Sequence, residues 1–527
     1  MAEGAAPQKL TTWQSLRAVT GSWRLLSVAL LSFSSGLPLG LVWIAIPTWM
    51  KEVGADIRIV GLLSLAQAPW SFKLLWSPSM DRYPLPFLGR KQGWILLSQG
   101  LLVGLGLALA AVSDRPQDVW TIGALTLAIA FASATQDIAY DAYAVEVLQP
   151  EEYGLAVGAR AALYRAAMLV SGGVSITWAG GSSWTVVNAA MAALYLPFML
   201  VTWFAPEPPP VGEPPKTLRE AVWGPFVGFL GQHRALEILA FVVLYKLSDN
   251  LTQALTRPFL VQTGFNDFDV GVATATIGQA AAIGGTFVGG LLTMRLGLGR
   301  ALWLFGFFQI VSNLGYAAVA QVGVNRPLMY FAQAFELGSS GLGSGAFGVL
   351  MFRLTQKRFS ATQFALLSSL FTIPRVLSGP PAGILADAIG WRDFFILTVF
   401  TGIPGMLMLA RFVPWGVREP DFAVLAPPRG APLSRQGLFL RSLAGAGFGF
   451  ALGALTLASL DAMTAYRKTR VFGIGPPLEN LLQPASQTAW LGLASLVVFA
   501  ALVGLATAAT LVARRGVLEK SGNQTGG

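Results

Sequence analysis

About fourteen separate runs of predominantly apolar residues, each long enough to cross a bilayer, leave this chain few folds to choose from. A spanning helix needs about 20 such residues. The runs lie near residues 25–49, 60–80, 93–113, 119–145, 160–180 and 184–204, then near 236–262, 271–294, 300–322, 327–352, 362–386 and 391–413, with two more near 438–460 and 488–513. Composition agrees. Charged residues make up 12% of the chain, half the roughly 25% of a soluble domain, which cannot coat a water-facing surface of this length. The 16 Trp and 33 Phe suit the apolar zone and its edges, and the 59 Gly suit close helix packing. The fold class expected is an all-α integral membrane protein.

The basic residues orient it. With the N-terminus inside, segments on the inner side hold 23 of the 36 Lys and Arg, and the outer side holds 9. Positive residues accumulate on the cytoplasmic side, so both termini are expected there, with an even number of helices. Four cations remain inside helices: Lys73, Arg165, Lys246 and Arg375. The polar N-terminus followed by a full-length apolar run predicts a signal anchor rather than a cleaved signal peptide.

Internal repetition divides the chain. Gly54 opens Gly-Ala-Asp-Ile-Arg-Ile-Val-Gly61 after the first helix, and Gly264 opens Gly-Phe-Asn-Asp-Phe-Asp-Val-Gly271 after the seventh, an offset of 210. Arg165, followed by Ser171-Gly172, and Arg375, followed by Ser378-Gly379, are offset by the same 210. One shift relating features this far apart predicts two homologous six-helix halves. The domains expected are a cytoplasmic segment 1–24, a first bundle 25–204, a linker 205–235 with a surface helix, a second bundle 236–413, a linker 414–437, an added helix pair 438–513 and a tail 514–527. Within the first linker, Pro-rich residues precede an amphipathic stretch starting at Lys216, which reads as a helix lying on the membrane.

Several function classes drop out. The net charge of +10 is scattered among apolar runs, not gathered into a nucleic-acid patch. There is no Cys for a disulfide, thiol chemistry or Cys-ligated metal, and the lone His233 sits in a polar loop. No catalytic motif, metal-ligand cluster or phosphate loop is found, so no enzyme, metal or cofactor is expected. An embedded enzyme, a channel and a sensor are the rivals from other classes; the repeat with paired internal charges favours alternating access.

After the second helix the chain reads Asp81-Arg82-Tyr83 and then Gly89-Arg90-Lys91. This resembles the loop signature of the major facilitator superfamily, with Ser77 in place of the usual Gly and a longer spacer. Asp81, Arg82, Arg90 and Lys91 are therefore expected to gate, the carboxylate pairing with basic groups or helix N-termini in one state and releasing them in another. A worn second copy, Gly289-Gly290 through Arg295 to Gly299-Arg300, lacks the acid.

Longer segments narrow the family. Phe33 to Leu39, Phe72 to Tyr83, Ala134 to Ala142, Met168 to Gly173, Val243 to Asp249 and Phe359 to Ser369 resemble AmpG-type muropeptide permeases over nearly the whole chain. The resemblance implies uptake of 1,6-anhydromuropeptides from periplasm to cytoplasm, driven by protons, through a Gram-negative inner membrane. A related carrier for acetyl-CoA or another anionic or peptidic solute is the alternative. The partners expected are this small molecule, protons and the lipid bilayer, with the chain a monomer and no nucleic acid bound.

The residues suggest a mechanism. Asp137 and Asp141 lie four apart on one helix face. Two acids in low dielectric rarely both ionise, so they are the candidates for proton coupling. Lys73 and Arg165 are their candidate partners. In the second half, Lys246 and Asp249 can pair at a spacing of three, with Glu336 and Arg375 as company. Gln136, Tyr164, Tyr245 and Gln253 can hydrogen-bond a sugar or peptide. The substrate-binding set is thus Lys73, Gln136, Tyr164, Arg165, Tyr245, Lys246, Asp249, Gln253, Glu336 and Arg375. Purely structural ion pairing is the competing reading for each charge. Glu146, Glu151 and Glu152 are expected to be solvated at a helix end.

Overall fold

The structure is a computed structural model that describes residues 22–54, 66–85, 88–115, 118–209, 213–422 and 431–515. The first 21 residues, the repeat motif beyond Gly54, the expected start of the second helix at 60–65 and the tail from 516 lie outside the described residues. Helices follow one another along the chain: α1 (Trp23–Glu52), an interrupted α2 (Ala68–Phe72 and Ser77–Arg82), α3 (Gln92–Val112), α4 (Val119–Val147), α5 (Tyr153–Met168, continuing through Ser175–Ala179) and α6 (Trp184–Phe204). Next come an interrupted α7 (Ala235–Leu244 and Leu247–Thr263), α8 (Asp267–Leu296), α9 (Leu298–Val322), α10 (Arg326–Leu354), α11 (Ser360–Ile389) and α12 (Trp391–Phe412). α13 (Arg435–Thr469) and α14 (Gln487–Arg515) end the series.

Among the described residues, nine of these helices are long and apolar enough to cross a membrane by composition. The other five, α2, α5, α7, α10 and α11, are interrupted or more polar, and each carries an ionisable residue within its length: Lys73, Arg165, Lys246, Glu336 and Arg375. Local chemistry explains the interruptions. Pro69 and Pro78 sit at the first turns of the two halves of α2, where a missing N–H costs nothing. Between them a 3-10 turn, Lys73–Leu75, holds the lysine. In α7 the break falls at Tyr245 and Lys246, and Asp249 lies in the first turn of the resumed helix, where its charge complements the N-terminal dipole.

Two boundaries differ from the sequence reading. α5 starts at Tyr153, seven residues before the apolar run, because buried Tyr153, Leu155, Ala156 and Val157 continue the helix. α13 continues past the expected 460 to Thr469 and carries Asp461 on its exposed side. The expected first linker holds a helix, Leu218–Leu230, capped by Thr217, whose hydroxyl accepts from the Glu220 amide at 3.0 Å. It packs beside the last helix, with Gly231 facing Ala513. His233 is an exposed neighbour that accepts from Arg234 at 3.2 Å.

The described residues form two compact units. The first holds those of Met1–Lys216, Ala282–Ala301 and Gly341–Ser369. Its core gathers Leu37, Val42, Trp49, Leu102 and Ile129, with Trp49 stacked on Trp184 at 5.4 Å. The second unit holds Thr217–Ala281, Leu302–Ser340 and the described residues of Leu370–Gly527. Phe259, Tyr316, Phe394 and Phe395 centre its core, and the Phe259 and Phe395 rings meet edge to face at 4.8 Å. Within this unit α13 and α14 pack along small residues, with Gly445 against Thr507 and Gly449 against Val503.

The repeat leaves a mark on the backbone. Gly54 after α1 and Gly264 after α7, 210 residues apart, both adopt positive φ, at 76° and 100°. This conformation is open to glycine at no steric cost and ends a helix cleanly.

In the first unit α5 and α8 touch backbone to backbone at Gly154 and Gly290. A Cβ on Gly290 would lie 1.9 Å from the Gly154 carbonyl oxygen, so the two helices must separate to admit one. Gly290→Val is expected to destabilise the protein by about 1–3 kcal/mol in denaturant unfolding of the detergent-purified chain. Gly284→Val, on the same helix with nothing within 4 Å of its added Cβ, is the control and should unfold like the parent.

Candidate functional site

The first unit buries an ion-pair quartet. Lys73, 6% exposed, donates from the break in α2 to Asp137 Oδ2 at 2.7 Å and lies 3.5 Å from Asp141 Oδ2. The two acids are one turn apart on α4, as their spacing required. Ser35 of α1 donates to Asp137 Oδ1 at 3.0 Å. Arg160 of α5 pairs with Asp141, and its guanidinium lies over the Tyr140 ring at 4.9 Å. Two anions thus face two cations. A charge at this depth survives only when paired and hydrogen-bonded, and the quartet meets that condition. Proton exchange at Asp137 therefore requires Lys73 to find another partner.

The second unit holds a smaller cluster at the break in α7. Lys246, 3% exposed, donates to Asp249 Oδ2 at 2.9 Å, to Gln309 Oε1 at 2.5 Å and to the Ser340 carbonyl at 2.7 Å. Gln253, two turns along α7 from Lys246, donates to Glu336 Oε1 at 3.0 Å. Glu336 is 1% exposed.

A third network lies at the ends of helices in the first unit. The Asp81 carboxylate, fully buried, accepts from Lys91 Nζ at 2.5 Å, from the Ala361 amide at 3.1 Å, and from the Thr362 amide and hydroxyl at 2.9 and 2.7 Å. It caps the open N-terminus of α11, satisfying N–H groups that have no intrahelical partner and complementing the dipole. Glu146, at the end of α4, accepts from Arg90 Nη2 and Ser360 Oγ, each at 2.5 Å, with Lys91 Nζ 3.8 Å away. Arg90 also donates to the Lys357 carbonyl at 3.1 Å, and Lys357 Nζ to the Glu146 carbonyl at 3.1 Å. Burial holds the Lys357 ammonium below the usual lysine range, against the opposing pull of Glu146.

The sequence-derived set falls into these networks unevenly. Lys73, Asp137 and Asp141 meet as expected, and so do Lys246 and Asp249. Gln136 is buried and donates to Ser34 Oγ at 2.7 Å, in a polar chain continued by Gln99 and Thr202. Tyr164 and Arg165 are half-buried farther along α5. Four readings need correction. Tyr245 is buried, and its hydroxyl is engaged by the Leu302 carbonyl at 3.1 Å rather than turned to a cavity. Arg375 is exposed and, among the described residues, forms no ion pair with Glu336. Arg82 stacks over Tyr83 at 4.9 Å and stays outside the Asp81 network. Glu146 is 2% exposed and tied to α11, not solvated like Glu151.

Arg160 was missed because the apolar run starts α5 at 160, which places this residue at the helix's very end, beside the loop. The buried positions from Tyr153 were the available signal. Ser360 and Thr362 carry no pattern of their own; only the docking of Asp81 and Glu146 gives them a role.

The chain has no cysteine, so a single one reports cleanly. Ala361→Cys places a thiol at a site 1% exposed, beside the Asp81 carboxylate. Adding Asp81→Asn should raise its rate of maleimide labelling about tenfold or more, equivalent to about 1.4 kcal/mol of lost closure. An unchanged rate means that Asp81 does not hold this end of α11.

A family model described as Major Facilitator Superfamily matches residues 28–361. The anhydromuropeptide permease of Escherichia coli is 41% identical over 385 residues, 72% of this chain and 78% of that protein. An uncharacterized protein of Haemophilus influenzae is 33% identical over 74% of this chain and 95% of its own length. A putative transporter AmpG 4 of Rickettsia conorii is 27% identical over 73% and 96%. Among solved structures, the proton:xylose symporter XylE matches with a TM-score of 0.55 at 11% identity, covering 75% of this chain and 97% of that one. A bacterial homologue of the iron transporter ferroportin, in an outward-facing state, matches at 0.54 and 12%, covering 73% and 98%. These two likenesses show the fold. The chain therefore belongs to the major facilitator superfamily of membrane transporters, within the AmpG-type permeases, and is a carrier rather than an enzyme.

Proposed function

We propose that this carrier is a proton-coupled symporter that imports 1,6-anhydromuropeptides (GlcNAc-anhydroMurNAc and its peptides) from periplasm to cytoplasm across a bacterial inner membrane. Both termini are cytoplasmic, the working unit is a monomer, and residues 25–204 and 236–413 act as the two alternating bundles. The cargo rests on one observation, the 41% identity to an anhydromuropeptide permease over 72% of the chain. The buried quartet, with Lys73 at the break in α2, supports coupling, because irregular backbone bearing charge at this depth marks transport paths.

In this reading Asp137 and Asp141 form the coupling pair. Arg160 anchors Asp141, while Asp137 is shared between Lys73 and Ser35. A proton on Asp137 removes the nearer of the two carboxylate charges that hold Lys73. The loosened ammonium then serves a carboxylate of the cargo, as Arg165, Lys246 and Arg375 also do. Arg375 and Gln253 are exposed at mid-helix, which supports a cargo role, since polar groups at that depth face a wet path rather than lipid. The Asp81 and Glu146 network closes the cytoplasmic end and must open for release. One charge crossing about 100 mV yields roughly 2.3 kcal/mol, enough for about a fifty-fold gradient per proton.

In proteoliposomes, Asp137→Asn is expected to abolish uptake driven by a pH gradient. Uptake persisting at the parent rate and pH dependence removes Asp137 from coupling. Arg165→Ala should raise the apparent KM for labelled anhydromuropeptide about tenfold or more, through loss of a charge-assisted contact; an unchanged KM in a folded variant assigns Arg165 to structure. Cargo identity is decided by uptake of anhydromuropeptides compared with acetyl-CoA and free peptides. Accumulation of the first alone, collapsed by a protonophore, is the outcome expected.

A further inference from the structure

We infer that Glu336 of α10 is a protonation site of the carrier, taking up and releasing a proton in the second unit independently of the Asp137 and Asp141 pair. The inference starts from a difference in charge balance. The quartet sets two carboxylates against two cations, and each acid has a cation within ion-pair distance. Around Lys246, among the described residues, there are two carboxylates, Asp249 and Glu336, and one cation. That cation is already used. An ammonium has three protons to donate, and Lys246 directs them at Asp249, Gln309 and Ser340. Glu336 is not among its partners.

The carboxyl of Glu336 is poorly served as an anion. Oε1 accepts one hydrogen bond, from an uncharged amide, Gln253 Nε2 at 3.0 Å. Oε2 is buried and, among the described residues, has no hydrogen-bond partner. An ionised carboxylate offers about four acceptor sites and, out of water, demands a cation. A protonated one needs only modest compensation. The groups that face Glu336 from neighbouring elements do not change the balance. From α7 they are Lys246 and Asp249, and from α9 it is Tyr316, whose hydroxyl donates to Gln333 at 2.7 Å. α8 and α12 carry charges only near their ends (Asp267, Asp269 and Arg295; Arg392, Asp393 and Arg411), and Arg375 of α11 forms no ion pair with a described residue. A way in for the proton is present, since Gln253, the direct partner of the buried carboxyl, is itself exposed.

The role as a coupling site rests on the symport reading above, so the test has an arm that does not need transport. The full-length chain and its Glu336→Gln variant are reconstituted, and infrared difference spectra are taken between acidic and mildly alkaline pH. The parent should show a protonated-carboxyl band that Glu336→Gln lacks. Identical spectra overturn the assignment, whatever the cargo. The second arm follows labelled GlcNAc-anhydroMurNAc in proteoliposomes. Glu336→Gln, which mimics the protonated acid, should lose accumulation driven by a pH gradient by an order of magnitude and keep counterflow exchange near the parent rate. Glu336→Asp should recover accumulation with a shifted pH profile. Parent-like accumulation by Glu336→Gln, or loss of counterflow together with accumulation, overturns the coupling role. If the parent itself moves no anhydromuropeptide, the cargo reading fails while the infrared result still decides for Glu336.

Discussion

An ion taken from water into a low-dielectric interior loses several kcal/mol of solvation even after relaxation, and only good geometry with added hydrogen bonds returns it. Much of this structure follows from that cost. Lys73 and Lys246 both sit where their helices are interrupted, at turns that bring the ammonium onto carboxylates. Serines and glutamines of adjacent helices then complete the shells: Ser35 at Asp137, Gln309 and Ser340 at Lys246. The interrupted or more polar helices each carry a charge, and α4, apolar over most of its length, supplies Asp137 and Asp141 to the first cluster.

The same cost governs the helix-end network. Asp81 and Lys91 are both fully buried, and the Asp81 carboxylate satisfies two backbone amides of α11 as well as the lysine. Removing any partner leaves a charge or a helix end exposed to a poor solvent, so the contact is either made or broken. Glu146 repeats the arrangement with Arg90 and Ser360. Both acids belong to the N-terminal half of the sequence, and the helix they hold begins more than two hundred residues later.

Much of the fold was legible in the chain because apolar run length is set by bilayer thickness, which is external to the protein. The starts of α6 and α12, and the glycine caps after α1 and α7, follow from local pattern. Boundaries were misjudged where a helix leaves the apolar run and stays helical, as at Tyr153. That single error hid Arg160, the partner of Asp141. Spacing along one helix also read correctly: Asp137 with Asp141, and Lys246 with Asp249, need only the helical repeat.

What the sequence determined by itself is therefore what depends on one helix at a time: the membrane class, the positions of the helices and the residues that share a face. Family likeness added the kind of carrier. Partner choice was decided by the tertiary structure alone. Glu146 reads as a solvated terminal acid until α11 is brought against it, Tyr245 as a cavity hydroxyl until α9 supplies a carbonyl, and Arg375 as a mate for Glu336, with which it forms no ion pair among the described residues. Ion pairs and hydrogen bonds act over a few ångströms. Which distant residues come within that range depends on how helices cross, and no local pattern in the chain records the crossing.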